Sequence, residues 1–292
     1  MRIRLFRKRL KGLTVYDALM YLFIIAMVAF SALPLMYLIS SAFKPLDEIL
    51  RFPPLFFVRR PTLQNLRSLL VVMGSSAVPF LRYLFNSVLV TAATVTLSVV
   101  ICSLGAYGLG KHAPFGARAI MNMVVAGLMF SPFVTQIPNY MTVLTLGLDD
   151  SYLALILPKV AMAYNFFLME RFVSQVPDAI LEAARIDGAP ERMVFWGVAM
   201  PMLRPAWSTL IVFTFVASWN DGFSPLVFIH RQAMKTLPLA MQTISGGTAN
   251  MDLGRMGAVM AAALITTLPT ITLFCLMQRK VIKTMAFSGI KE

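Results

Sequence analysis

The sequence predicts an all-α integral membrane protein, and three observations carry that expectation. Of its 292 residues 58% are hydrophobic and only 13% are charged. The apolar residues fall in blocks about as long as a bilayer core is thick, and the charges are confined between the blocks. A soluble domain of this length carries about 25% charged residues to coat its surface; this chain lacks them, and its mean hydropathy is +0.75. The 26 Lys and Arg outweigh 13 Asp and Glu, which in a soluble protein would point to nucleic acid. Here the basic residues flank apolar blocks, so the positive-inside bias accounts for them without a polyanionic partner. Cys102 and Cys275 both lie inside apolar blocks, where a thiol packs as a small hydrophobe, and no disulfide framework or metal-ligand spacing is present.

Taken in order, six stretches are long and apolar enough to span: Ala18 to Ser40, Leu84 to Leu109, Ala119 to Ile137, Tyr152 to Met169, Ala206 to Ile229 and Met256 to Met277. Each offers about 20 residues rising about 1.5 Å apiece. The first follows the basic run Arg2, Arg4, Arg7, Lys8, Arg9 and Lys11. Its apolar core is longer than a secretory signal's and no convincing cleavage site follows, so it reads as an uncleaved anchor. With these spans, sixteen Lys and Arg fall on the side of both termini and nine on the other, which predicts N-in/C-in topology. The chain divides into residues 1–82, a basic cytoplasmic N-terminus, first span and external loop, and a core over 83–292. The segment from Ser41 to Arg82 holds Pro53-Pro54, Arg60-Pro61 and Val78-Pro79, which predict an irregular loop or short surface helices.

Gly105-Ala-Tyr-Gly-Leu-Gly110-Lys111 has phosphate-loop spacing, but His112 stands where that mechanism needs Ser or Thr. No strand precedes it, and small residues at the end of a membrane helix instead permit close helix packing. The chain shows no means of hydrolysing ATP itself.

Between the fourth and fifth spans, residues 174–204 are punctuated as two short helices. Asp178 is positioned to cap the first, Glu182 lies near its positive end, and Glu182 and Arg185 are spaced to pair. Gly188 is placed to close it in the left-handed conformation. Pro190 suits the first turn of a second helix and Pro201 ends the run. A connecting hairpin and a docking element both fit this pattern. Ile180, Leu181, Ala183, Ala184 and Ile186 make the first helix more apolar than a solvated connector needs.

Glu182-Ala183-Ala184, three residues, Gly188, nine residues, then Val198-Ala-Met200-Pro201 resembles the EAA loop of permease subunits in binding-protein-dependent ABC importers. Val198 and Met200 replace the usual Ile and Leu and keep apolar anchors. EAARIDGA with FTFVASWND at Phe213 to Asp221, NSVLVTAAT at Asn86 to Thr94, LGAYGLGK at Leu104 to Lys111 and the closing SGIKE resemble the carbohydrate branch, the maltose and glycerol-3-phosphate type. The likeness runs from about Asn86 to the tail. It implies one peripheral N-terminal helix around a five-helix core and a bacterial cytoplasmic (inner) membrane location. It also implies a second homologous permease subunit, two copies of a cytoplasmic ABC ATPase, and an extracytoplasmic solute-binding protein delivering a carbohydrate-type solute. ATP and magnesium would belong to the ATPase, with no cofactor or metal on this chain. By that resemblance Asp178 to Asp187 forms the coupling helix. Asp178, Glu182, Ala183, Ala184, Arg185, Asp187, Gly188 and Pro201 are then the ATPase-coupling residues, and ATPase closure drives alternating access.

Ionisable residues within spans are costly and mark function by default. Lys159 lies eight residues in from Ser151 and Asp221 nine residues in from His230, which puts both about 12 to 14 Å below the outer surface. They are expected to pair or to line a solute cavity with Asn165 and Asn220; Lys159 snorkelling and Asp221 capping a broken helix near Ser224-Pro225 is the structural alternative. Trp219 and Tyr164 suit stacking on sugar faces or packing between helices. The segment from Lys235 to Arg255, with Gly246-Gly247 and Asn250, resembles in position the loop that reaches toward the binding protein. An ion-coupled secondary transporter would favour repeated halves and a carboxylate relay, neither of which is visible, and a membrane scaffold without a transport path is the third class.

Overall fold

The computed structural model describes residues 15–74, 78–246 and 255–289. The basic N-terminal run, Gly247, Asn250 and the end of SGIKE lie outside the described residues. Those described are helical, with no strand among them. Three helices, Val15–Ala42, Phe80–His112 and Met256–Val281, are individually long and apolar enough to cross a membrane. Three bent pairs pass the same test together, which makes up to six spans.

Two compact units divide the chain, one from residues 1–71 with 250–264, the other from 72–249 with 265–292. In the first, helix α1 (Val15–Ala42) is exposed along almost its whole apolar length, as a lipid-facing helix must be. Its end is tied by polar groups. Buried Lys44 stands 4.6 Å from the Tyr37 ring centroid and donates to the Leu55 carbonyl. Asn65, on α2 (Gln64–Gly74), donates to the Ala42 and Lys44 carbonyls at 3.0 and 2.7 Å. Glu48 accepts the amides of Arg59 and Arg60 at 3.0 and 3.1 Å, which holds its carboxyl below the usual range. The proline-rich segment is therefore a knot of short helices and turns closed by buried polar groups.

The second unit is built around α3 (Phe80–His112), which runs straight through the decoy glycines. After it come α4 (Ala117–Gly127), α5 (Pro132–Thr145), α6 (Tyr152–Val160), α7 (Ala163–Ser174), α8 (Asp178–Ile186) and α9 (Arg204–Trp219). A Cβ on Gly105 would sit 2.7 Å from Phe166 Cε2, and one on Gly110 3.2 Å from Val173 Cγ1. The glycines thus seat α7 against α3, the packing expected of small residues. At the other end of α3, Asn86 donates to the carbonyls of Ala233 and Lys235 and accepts from the Tyr152 hydroxyl at 2.8 Å. Asp150 accepts the His230 and Arg231 amides, the Arg231 contact being the largest cause of its lowered pKa.

Several sequence expectations need correction. The third stretch is not one straight span: α4 and α5 meet at 116°, because the chain turns at Leu128 to Ser131 ahead of Pro132. The fourth is bent by 42° between α6 and α7, where Pro158 removes a helix donor and the helix stops at Val160. Pro201 does not end the cytoplasmic run; it sits inside the short helix Met200–Met202, and the 76° break follows at Leu203 before α9. Cys275 is exposed, whereas Cys102 is buried.

Candidate functional site

The first site is a ledge at the end of α3. Asp178 does not cap α8. Pro177 occupies the cap position without a side-chain bond, so the Asp178 carboxylate is free to take Lys111 Nζ at 2.8 Å, and the same ammonium also binds the Val176 carbonyl. The far end of α8 closes as the sequence indicates. Gly188 adopts φ 81°, its amide donates to the Arg185 carbonyl at 3.0 Å, and the Ala189 amide donates to Ala184 at 3.0 Å, the double bond of a Schellman cap.

Arg185 pairs with Glu191, not with Glu182 as its spacing suggested. Its Nε lies 3.0 Å from Glu191 Oε2 and its NH2 3.1 Å from Oε1. Such a bidentate fork outcompetes a single i,i+3 contact. Glu191 also receives the Tyr107 hydroxyl at 2.6 Å and lies 3.1 Å from His112 Nε2. Three side chains from two helices, α3 and α8, therefore converge on one carboxylate. Arg185 is the main cause, followed by Tyr107, of its pKa falling to about 2.

Leu181, 1% exposed, anchors α8 in a cluster with Tyr107, Val173, Phe195, Met200 and Leu203. The other face of α8 is open: Ile186 is 86% exposed, and Ile180, Glu182 and Ala183 are exposed as well. A helix held rigidly on one side and bare on the other can transmit a push without bending.

The second site lies where two helices break. Asp221 sits between α9 and α10 (Phe223–Phe228), and its Oδ1 accepts the amides of Phe223 and Ser224 at 3.0 Å each. Its Oδ2 faces Lys159 Nζ in an ion pair whose side chains are mostly buried. Pairing and capping are thus simultaneous roles of one carboxylate. The pair opens on a cavity of about 500 Å³ lined also by Gln136, Asn139, Tyr140 and Phe223. Tyr140 stacks on Phe228 with ring centroids 5.9 Å apart. The cavity presents amides, a phenol and a charge-balanced pair among apolar and aromatic side chains such as Ile137, Met162 and Phe228.

The remaining sequence-named residues are not among the residues lining this cavity. Asn165 is buried and donates to Ser98 and Thr214 hydroxyls at 3.3 and 2.9 Å. Trp219 is buried, donates to the Thr266 carbonyl at 2.9 Å and stacks on Phe215. Asn220 turns back to the Val216 carbonyl, and Tyr164 packs edge-on to Phe213. Sequence reading missed Gln136, Asn139 and Tyr140 because it took the third stretch as one span from Ala119 to Ile137, which ends before Asn139 and Tyr140. The pattern Ser131-Pro132 through Pro138, with polar residues between and beyond, marked a break.

Comparison with known proteins agrees with this architecture. The chain is 29% identical over 287 residues to Protein LplC of Bacillus subtilis (strain 168), with 95% of each chain covered. It is 26% identical over 287 residues to the polygalacturonan/rhamnogalacturonan transport system permease protein YtcP of the same organism, with 94% and 98% covered. In fold it resembles a chain from the crystal structure of a bacterial ABC transporter involved in the import of the acidic polysaccharide alginate, with TM-score 0.79 at 19% identity over 92% of this chain and 98% of that one. Residues 102–286, more than half of the sequence, match the family described as the binding-protein-dependent transport system inner membrane component, and the chain belongs to that family.

Proposed function

We propose that this chain is the membrane-spanning permease subunit of an ATP-driven importer that admits a saccharide, with α8 as the element that receives motion from a separate ATPase. The single observation that carries the reading is the construction of α8, buried at Leu181, tied through Asp178 and Arg185 to Lys111 and Glu191, and bare at Ile180, Glu182 and Ile186. The saccharide class is supported by the amide, phenol and aromatic groups of the cavity beside Lys159 and Asp221 and by the polygalacturonan/rhamnogalacturonan in the name of YtcP. In this reading the three long helices and three bent pairs make six spans with both termini inside. Residues 1–82 form a peripheral part, and residues 83–292 the translocating core. A homologous second permease, two ATPase copies and an external solute-binding protein complete the assembly, and alternating access moves the solute past the Lys159–Asp221 pair. Asp187, Gly188 and Pro201 shape the ledge rather than touch solute.

The test is purification of the tagged chain from its native membrane, followed by reconstitution. An ATPase and a homologous permease co-purify, and labelled oligosaccharide enters vesicles only with ATP and the binding protein. Uptake driven by a proton or sodium gradient without ATP would establish an ion-coupled carrier instead.

A further inference from the structure

A second hollow, of about 300 Å³, lies on the flank of the second unit between α3, α9 and the π-helical stretch Val194–Ala199. Its walls include Val95, Val99, Val100 and Ile211, and two tryptophans, Trp196 and Trp207, close its sides. The Trp207 indole N–H is satisfied internally, donating to Ser103 Oγ at 3.2 Å. Trp196 is 46% exposed, so the hollow is open on that side.

Two arginines stand beside it. Arg204 precedes Trp207 by three residues on α9, and Arg192 precedes Trp196 by four, so each lies about one turn from its tryptophan and on the same side of the helix. Both are exposed, and neither forms an ion pair among the described residues. An apolar slot flanked by tryptophans, with an unpaired guanidinium about one turn from each, is an arrangement that suits an anionic headgroup at the cytoplasmic interface. Guanidinium forks match phosphate oxygens in pairs.

We propose that this hollow holds an acyl chain of an anionic phospholipid, drawn there by the guanidinium groups of Arg192 and Arg204. The assignment rests on the permease reading above, since that reading puts Arg204 at the inner interface. The lipid would sit across the 76° break at Leu203 that separates the ledge from α9. A bound chain fills the space into which Trp196 and Trp207 would move if that angle changed, so lipid occupancy biases the joint through which α8 acts.

The experiment uses the complete purified assembly in phosphatidylcholine nanodiscs carrying equal fractions of either brominated phosphatidylglycerol or brominated phosphatidylcholine. Tryptophan quenching is read as the difference between the wild-type assembly and one carrying Trp196→Phe and Trp207→Phe, which isolates these two indoles. Brominated phosphatidylglycerol quenches the difference signal more strongly than brominated phosphatidylcholine, and the preference is lost in Arg192→Gln/Arg204→Gln. Equal quenching by both lipids overturns the headgroup site; absence of quenching by either shows that a protein subunit covers the face and overturns the lipid. ATPase content is measured in the same preparation. Failure with the ATPase retained removes the lipid site alone, whereas an assembly lacking any ATPase removes the permease reading.

Discussion

The Tyr107 hydroxyl donates to the Glu191 carboxylate at 2.6 Å, joining the last turns of α3 to the segment that follows α8. Because Arg185 grips the same carboxylate with two nitrogens, α8 cannot shift along its axis without either breaking this hub or dragging α3. The Tyr107 ring also packs edge-on to Phe195 at 5.1 Å, so the hub is backed by apolar contact.

Replacing Glu191 by Gln removes the charge from this hub. Its side chain is 45% exposed, so solvent screening limits the loss to about 1 kcal/mol or less. A double-mutant cycle with Tyr107→Phe, read by thermal unfolding, shows coupling between the two positions. The folded-state pKa of about 2 lies below the ordinary glutamate value of 4.5, so the stabilisation is fully present above about pH 4.5 and is lost as pH falls toward 2. The gap between wild type and Glu191→Gln therefore stays flat above pH 4.5 and narrows below it.

Neutralising one partner of the Lys159–Asp221 pair strands the other in a mostly buried site, at a cost of about 3 to 5 kcal/mol. Asp221 variants are worse than Lys159 variants, since Asp221 also accepts the Phe223 and Ser224 amides; losing such a cap adds about 1 kcal/mol. Lys159→Asp/Asp221→Lys recovers only part of the loss, because a lysine accepts no amide bonds. Unfolding midpoints and ATP-driven uptake across the series check the order.

The glycines of α3 separate by position. Gly105→Ala drives a methyl into Phe166 and costs about 1 to 3 kcal/mol. Gly108→Ala meets nothing within 4 Å and gains up to about 1 kcal/mol of helix propensity. Equal effects in thermal unfolding would show that the seam does not pack as described.

Gly188→Ala forces a side chain into φ 81°, which costs about 1 to 2 kcal/mol. Gly188→Asn, which tolerates that conformation better, recovers part of the stability and of the ATPase-linked transport, as co-purification and uptake assays will show.

Hydropathy placed the long helices well because lipid demands unbroken apolar length, and Val15–Ala42 and Phe80–His112 needed nothing else. It failed at residues 119–137, where hydropathy stays high through a turn that only Ser131-Pro132 signals. Gly188 and the spacing after Glu182 were legible since a left-handed cap has a narrow residue preference. The Arg185–Glu191–Tyr107 hub was not, because its members come together through the packing of α3 against the ledge. Lys159 and Asp221 were found from depth alone; Gln136, Asn139 and Tyr140 were missed because their cavity exists only once α4 and α5 are bent.

If α8 receives motion from an ATPase, its bare face is where that ATPase sits. Ile186 is 86% exposed and lies outside the buried core, so Ile186→Glu leaves the fold intact. The direct measurement is the ATPase content of the purified assembly alongside its unfolding temperature. An unchanged unfolding temperature of the permease with the ATPase lost is the predicted result; a full complement of ATPase on the Ile186→Glu chain, with ATP-driven uptake unaltered, would contradict it.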